Sequence, residues 1–207
     1  MNDVSTEILA DNRFAVPELA NVRWLAQDVL SRSVGLTQDL PVPSLVSTHL
    51  KFSTSAVRDY VLWWVTHPDP RSRFASRTRW LRWLPGALLL RAIMALGYDG
   101  LVYPQGDAIQ GHFFYQRRGT ALFGFSTAVD ESLDGQGYSV VMMLDYLAFA
   151  SQTPNIMKAR VGRGQNNVTR RLLARIKKHE EQLGWRVNED GWVTFPSAIK
   201  PSRAEAA

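Results

Sequence analysis

Apolar residues in the N-terminal half recur mostly at helical spacing. Pro17 is placed to open a helix through Ser31, with Leu19, Val22, Leu25, Ala26 and Val29 on one face. The stretch 35–44 holds two prolines and reads as a connector, and 45–53 alternates loosely enough to be a strand. Ser55 can cap a helix to about Thr66, stopped by Pro68 and Pro70. A further helix is predicted from about Ser72 to Leu84. Pro85–Gly86 breaks or kinks it, and a last segment reaches Leu96 before Gly97.

From residue 98 the period shortens. Leu101–Gln105, Ile109–Gln116 and Ala121–Val129 read as strands, the last two as an antiparallel hairpin around Gly119. Tyr138–Ala150 is almost wholly apolar but too long for an ordinary strand, so it predicts a helix buried against a sheet. Ile156–Val161 reads as a strand. Asn166 or Asn167 opens an amphipathic helix to Gly184, with Val168, Leu172, Leu173, Ile176 and Leu183 as its apolar stripe. Trp185–Val187 and Trp192–Phe195 flank a turn at Asn188–Gly191, and the tail from Lys200 is expected to be disordered.

Composition narrows the chemistry. The chain has 207 residues, 45% of them hydrophobic and 21% charged, as in an ordinary globular protein. It has no cysteine, which removes disulfides, thiolate nucleophiles and cysteine metal sites. His49, His67, His112 and His179 stand at no metal-ligand spacing, so no metal is expected. The N-terminus lacks the pattern of a signal peptide and the longest apolar run is far short of a membrane span; a cytoplasmic protein without a membrane span is the expectation.

Charge is unevenly placed. The net charge is +5, but residues 71–91 alone carry six arginines and no acid, and 154–187 carry nine basic residues against Glu180 and Glu181. Two basic stretches on an otherwise acidic chain suggest an anionic ligand or partner, although each also suits a solvated helix face.

The most informative unit is a strand, a glycine turn and a helix: Phe123–Val129, then Asp134–Ser139 with Gly135 and Gly137, then the apolar helix. A helix start has N–H groups without internal partners and a positive dipole end, and glycines let an anion approach the backbone. Such a turn can cradle phosphate without a basic side chain. It is neither a Walker loop, which is absent, nor a dinucleotide fingerprint, whose third glycine would fall at Val140.

The order of these elements resembles the GNAT acetyltransferase superfamily of acyl-CoA N-acyltransferases. That family has an antiparallel meander, a strand ending in a Gln/Arg-x-x-Gly-x-Gly/Ala turn, a helix, a further strand, a second helix and a final strand pair. Here Asp134–Ser139 holds the turn position, Ile156–Val161 the next strand, Asn167 onward the second helix, and Gly184–Trp185 the terminal Gly-Phe. The resemblance spans about residues 101–195 and implies an α/β (α+β) fold. Its sheet would be mixed and mostly antiparallel, with flanking helices. Residues 1–98 would be an enlarged helical N-terminal region contributing to the acceptor site, 99–198 the acyl-CoA-binding core, and 199–207 a tail.

The resemblance further implies a co-substrate, acetyl-CoA or another acyl-CoA. The backbone of Gly135, Gln136, Gly137, Tyr138 and Ser139 would hold its diphosphate, and Ser126, Thr127, Ala128 and Val129 would pair with the pantetheine arm. Asn167 would sit near it, and Arg160, Arg163, Arg170 or Arg171 could meet the 3′-phosphate by charge. Asp134 stands where the family has Gln or Arg, and no tyrosine falls at the family's thiolate-protonating position.

The implied reaction is attack of an amine on the thioester, with His112 or Glu131 taking the amine's proton. Trp63, Trp64, Phe74, Trp80 and Trp83 could form core or an acyl pocket, and the arginines of 71–82 could dock an acidic carrier protein. Two alternatives stay open: an acyl-CoA-binding sensor without catalysis, and, more weakly, a basic nucleic-acid-binding module.

Overall fold

The computed structural model describes residues 24–26, 28–29, 60, 85–105, 108–133, 136–162 and 167–196. The connector, the strand at 45–53, the helix at 72–84, the tryptophans and arginines of 63–83, Asp134, Gly135, Arg163 and the tail all lie outside the described residues. So does the Ser55–Thr66 helix except for Tyr60, which is helical.

The elements run α1 (Gly86–Ala95), β1 (Tyr98–Gln105), β2 (Ala108–Arg118), β3 (Ala121–Val129), a 3₁₀ turn (Glu131–Leu133), α2 (Tyr138–Gln152), β4 (Lys158–Arg160), α3 (Asn167–Lys178), α4 (Glu180–Leu183), β5 (Arg186–Val187) and β6 (Trp192–Thr194). They form a mixed α/β unit around one six-stranded sheet, ordered β1-β2-β3-β4-β6-β5. Every neighbouring pair is antiparallel except β3 and β4, which are parallel. A parallel pair cannot be joined by a tight turn, and α2 is the crossover that joins it.

Local chemistry explains the boundaries. Pro85 has no N–H to donate and opens α1 at Gly86, and Gly97 at φ 78° closes the turn after it. The amphipathic helix predicted from Asn167 to Gly184 breaks at His179 into α3 and α4, and Gly184 ends it in the left-handed region. The sequence-predicted strand at 156–161 is regular over Lys158–Arg160 only.

Alternation divides the apolar residues between the two faces of the sheet. One face carries Leu101, Tyr103, Phe113, Tyr115 and Leu122, covered by α2 and α3. Leu25, Ala26 and Val29 of the N-terminal helical segment join that core, and Asp28 pairs with Arg175 at 3.4 Å. The other face carries Val102 and Phe114, packed against Leu89, Leu90 and Ile93 of α1, with Tyr60, Ile109 and Phe125 alongside. Helix α2 has ten buried residues because it packs both on the sheet and against α3, which is why its sequence is apolar almost all round.

Candidate functional site

The parallel pair is short. β3 and β4 are in register only at Ala121↔Lys158, Leu122↔Ala159 and Phe123↔Arg160, and β3 continues past that ladder through Gly124–Val129. Gly124 stands where the ladder ends. A Cβ there would come within 2.7 Å of the Phe113 ring and 2.9 Å of the Arg160 carbonyl oxygen, so only glycine fits. Tyr146 of α2 reaches the same point. It is fully buried and stacks on Phe113 at 4.1 Å; its hydroxyl donates to the Arg160 carbonyl at 3.5 Å and shares a hydrogen bond with the Gly124 backbone. The Tyr146 hydroxyl thus sits between the two strands where their pairing stops.

Beyond this fork β3 carries a bulge. Tyr115 pairs with Gly124 but Phe114 pairs with Ser126, leaving Phe125 as an extra residue. The bulge shifts everything after it by one position. Ser126 consequently faces the α1 side of the sheet, beside His112.

His112 is completely buried. Its ring stacks on Phe114 at 3.8 Å, Tyr60 Oη lies 2.7 Å from Nδ1, and Ser126 Oγ lies 3.2 Å from Nε2. Burial pushes its pKa down to about 3, because the charged imidazolium loses its hydration there. Burial and the charge of Asp130 push the Tyr60 hydroxyl up to about 12. At neutral pH the three groups are therefore an uncharged hydroxyl–imidazole–hydroxyl chain.

Past β3, exposed Asp130 accepts hydrogen bonds from the Ser132 N–H at 2.9 Å and hydroxyl at 2.6 Å, which hold its carboxyl below the usual range. Glu131 is exposed on the same 3₁₀ turn. The Gln136 N–H donates to the Leu133 carbonyl at 3.3 Å, and its side chain donates to the Ser132 carbonyl at 3.0 Å, so Gln136 is engaged in the turn itself. Gly137 adopts φ 83° as the N-cap of α2, with no side-chain cap, and its carbonyl accepts from Val140 and Val141. The N–H groups of Tyr138 and Ser139, both half-buried, follow directly at the helix start.

Other predicted residues are placed apart from this group or beyond description. Thr127, Ala128 and Val129 lie on β3 beyond the bulge, opposite Phe113, His112 and Gly111. Asn167 is exposed at the start of α3, where its side-chain oxygen accepts from Arg170 at 2.6 Å. Arg160 turns back, donating to the Gly162 carbonyl at 3.1 Å and lying 6.0 Å from the Trp192 ring. Among the described residues no group of three or more His, Asp or Glu could hold a metal ion, and no helix is long and apolar enough to cross a membrane.

Sequence reasoning missed the partnership of His112 with Tyr60 and Ser126, the role of Tyr146, and a buried carboxyl. Asp145 of α2 is fully buried and accepts from the Tyr103 hydroxyl at 2.7 Å. Burial pushes its pKa up to about 7. An acid inside an otherwise apolar run was the available signal.

No family model matches the chain, and no curated protein matches it. Fold and site together define a mixed α/β protein whose mostly antiparallel sheet opens at one short parallel pair.

Proposed function

We propose that the protein is an N-acyltransferase of GNAT-like fold, moving an acetyl or other acyl group from acyl-CoA to an amine by direct attack. The observation that carries this reading is the β3–β4 fork followed by a glycine-initiated crossover helix. The strand order fits the expected succession of meander, turn, helix, strand, helix and strand pair.

The residues at the fork suit such a donor. Gly124–Val129 extends past the β4 ladder as an extended backbone that a pantetheine amide arm can follow. The start of α2, at Gly137, Tyr138 and Ser139, has no side-chain cap and suits a diphosphate by its dipole and by N–H groups that have no partner within the helix. Holding donor and amine together supplies much of the acceleration by proximity. The amine's proton leaves through one of two groups near the end of β3, exposed Glu131 or buried His112.

The test is thermal shift with acetyl-CoA and longer acyl-CoAs, followed by thiol release on a panel of amines. Stabilisation by an acyl-CoA with amine-dependent thiol release is the expected result. Stabilisation without release on any amine favours the sensor alternative, and no stabilisation by any acyl-CoA removes the reading.

A further inference from the structure

The chain Ser126–His112–Tyr60, buried at its imidazole and half-buried at both ends, joins the bulged part of β3 to a tyrosine hydroxyl that feels the charge of the exposed Asp130 carboxylate. We propose that these three side chains are a proton relay that carries the attacking amine's proton from the fork to solvent. The proposal rests on the acyltransferase reading and deepens it, naming Ser126 as the group that meets the amine.

Geometry supports the relay before any titration does. Both ring nitrogens of His112 face a hydroxyl, at 2.7 and 3.2 Å, and a neutral imidazole can accept at one nitrogen while donating from the other. Phe114 stacked on one side of the ring and Tyr60 edge-on at 5.7 Å hold it in that orientation. The bulge at Phe125 brings the Ser126 hydroxyl onto this face; a regular hairpin would set Ser126 opposite Phe113, on the α2 face.

The amine nitrogen's electron pair forms the C–N bond while the thioester C–S bond breaks and the pair leaves on sulfur. The amine N–H breaks as its proton passes to Ser126 Oγ. The Ser126 proton passes to His112 Nε2, the Nδ1 proton passes to Tyr60 Oη, and the Tyr60 proton passes to water near Asp130. The thiolate takes its proton from solvent. The imidazole changes tautomer without becoming imidazolium, which agrees with a pKa pushed far below neutral by burial. Ser126 is the catalytic residue; His112 and Tyr60 are positioning residues that act through it.

The test uses the full chain with acetyl-CoA, or whichever acyl-CoA shifts its melting temperature most, and the best amine. Ser126→Ala and Tyr60→Phe are each expected to lower kcat about a hundredfold with KM for the acyl-CoA unchanged, and to change the solvent deuterium isotope effect on kcat. Ser126→Thr, which keeps a hydroxyl, is expected to restore most of the rate. Independently of turnover, ¹⁵N NMR of the His112 ring should show a neutral, doubly hydrogen-bonded imidazole from pH 5 to 9 in wild type and a shifted Nδ1 signal in Tyr60→Phe. Wild-type turnover with both variants unchanged in kcat and isotope effect overturns the relay alone. A His112 that titrates near 6.5 also overturns it. Acyl-CoA binding with no thiol release in wild type removes the acyltransferase reading and the relay with it.

Discussion

Among the described residues, one face of the sheet buries a carboxyl and the other an imidazole, and they treat them in opposite ways. On the α2 face, Asp145 is fully buried and accepts a short hydrogen bond from Tyr103. On the α1 face, His112 sits beside a smaller cluster, between two hydroxyls, with two residue pairs between it and the bulge. Burial favours the neutral form of both, so it pushes the acid up to about 7 and the base down to about 3. The difference lies in what holds each group: the Tyr103 hydroxyl on Asp145 belongs to a buried residue, whereas the Tyr60 and Ser126 hydroxyls on His112 belong to half-buried ones.

The strongest test of that contrast is the pH dependence of stability. For Asp145 the folded pKa lies above the unfolded value, so the native state retains a proton the unfolded state has lost, and stability falls as pH rises from about 4 to about 7. For His112 the folded pKa lies below the unfolded value, so stability falls as pH drops from about 6.5 to about 3. At roughly 1.4 kcal/mol per pH unit each, the two slopes offset one another between pH ~4 and ~6.5. Relative to wild type, Asp145→Asn should gain about 3 kcal/mol across that window as pH rises, and His112→Gln should lose about as much. Urea denaturation at several pH values measures both. Parallel slopes in the two variants would break the comparison.

A smaller effect is expected at the fork itself. Gly124→Ala forces a methyl against the Phe113 ring and the Arg160 carbonyl, and should cost about 1–3 kcal/mol in a urea titration. It should also weaken the thermal shift given by acyl-CoA, since the β3 backbone must move. Removing the Tyr146 hydroxyl with Tyr146→Phe takes away the group between the strands and should cost about 1 kcal/mol by the same measurement.

The smallest stability effect is expected on the α1 face. Ser126 is half-buried and its bond to His112 is 3.2 Å long, so Ser126→Ala should change unfolding free energy by about 0.5 kcal/mol. Its large consequence should appear in turnover. A stability loss from Ser126→Ala as large as that from Gly124→Ala would mean that the α1 face is built for packing too.

Much of the fold could be read from periodicity. Ala121–Val129 forms the strand its alternation predicts, and Tyr138 opens a buried helix as the long apolar run requires. Leu172, Leu173 and Ile176 face the core, as their spacing demands. Local signals suffice there because side-chain period and turn residues act over a few positions. The site was less legible. Ser126 and His112 were each singled out, but separately, because a hairpin read from its two-residue loop puts them on opposite faces. Tyr60 is 52 positions from His112, and nothing local links them. Asp145 was visible as an acid in an apolar run, but its Tyr103 partner lies 42 positions away and nothing local links them.

Composition and pattern by themselves determined a cysteine-free mixed α/β chain, its strand and helix sequence, and a glycine-initiated helix after the third strand. These follow from short-range sterics and from which side chains leave water. Only the tertiary structure decided that β4 pairs beside β3 in parallel and for three residues, and that one extra residue at Phe125 turns Ser126 toward His112. It also decided that Tyr60 closes the chain from the far side. Strand register and long-range contact are set by how whole surfaces fit, and a shift of one residue, invisible in composition, chooses which face a hydroxyl serves.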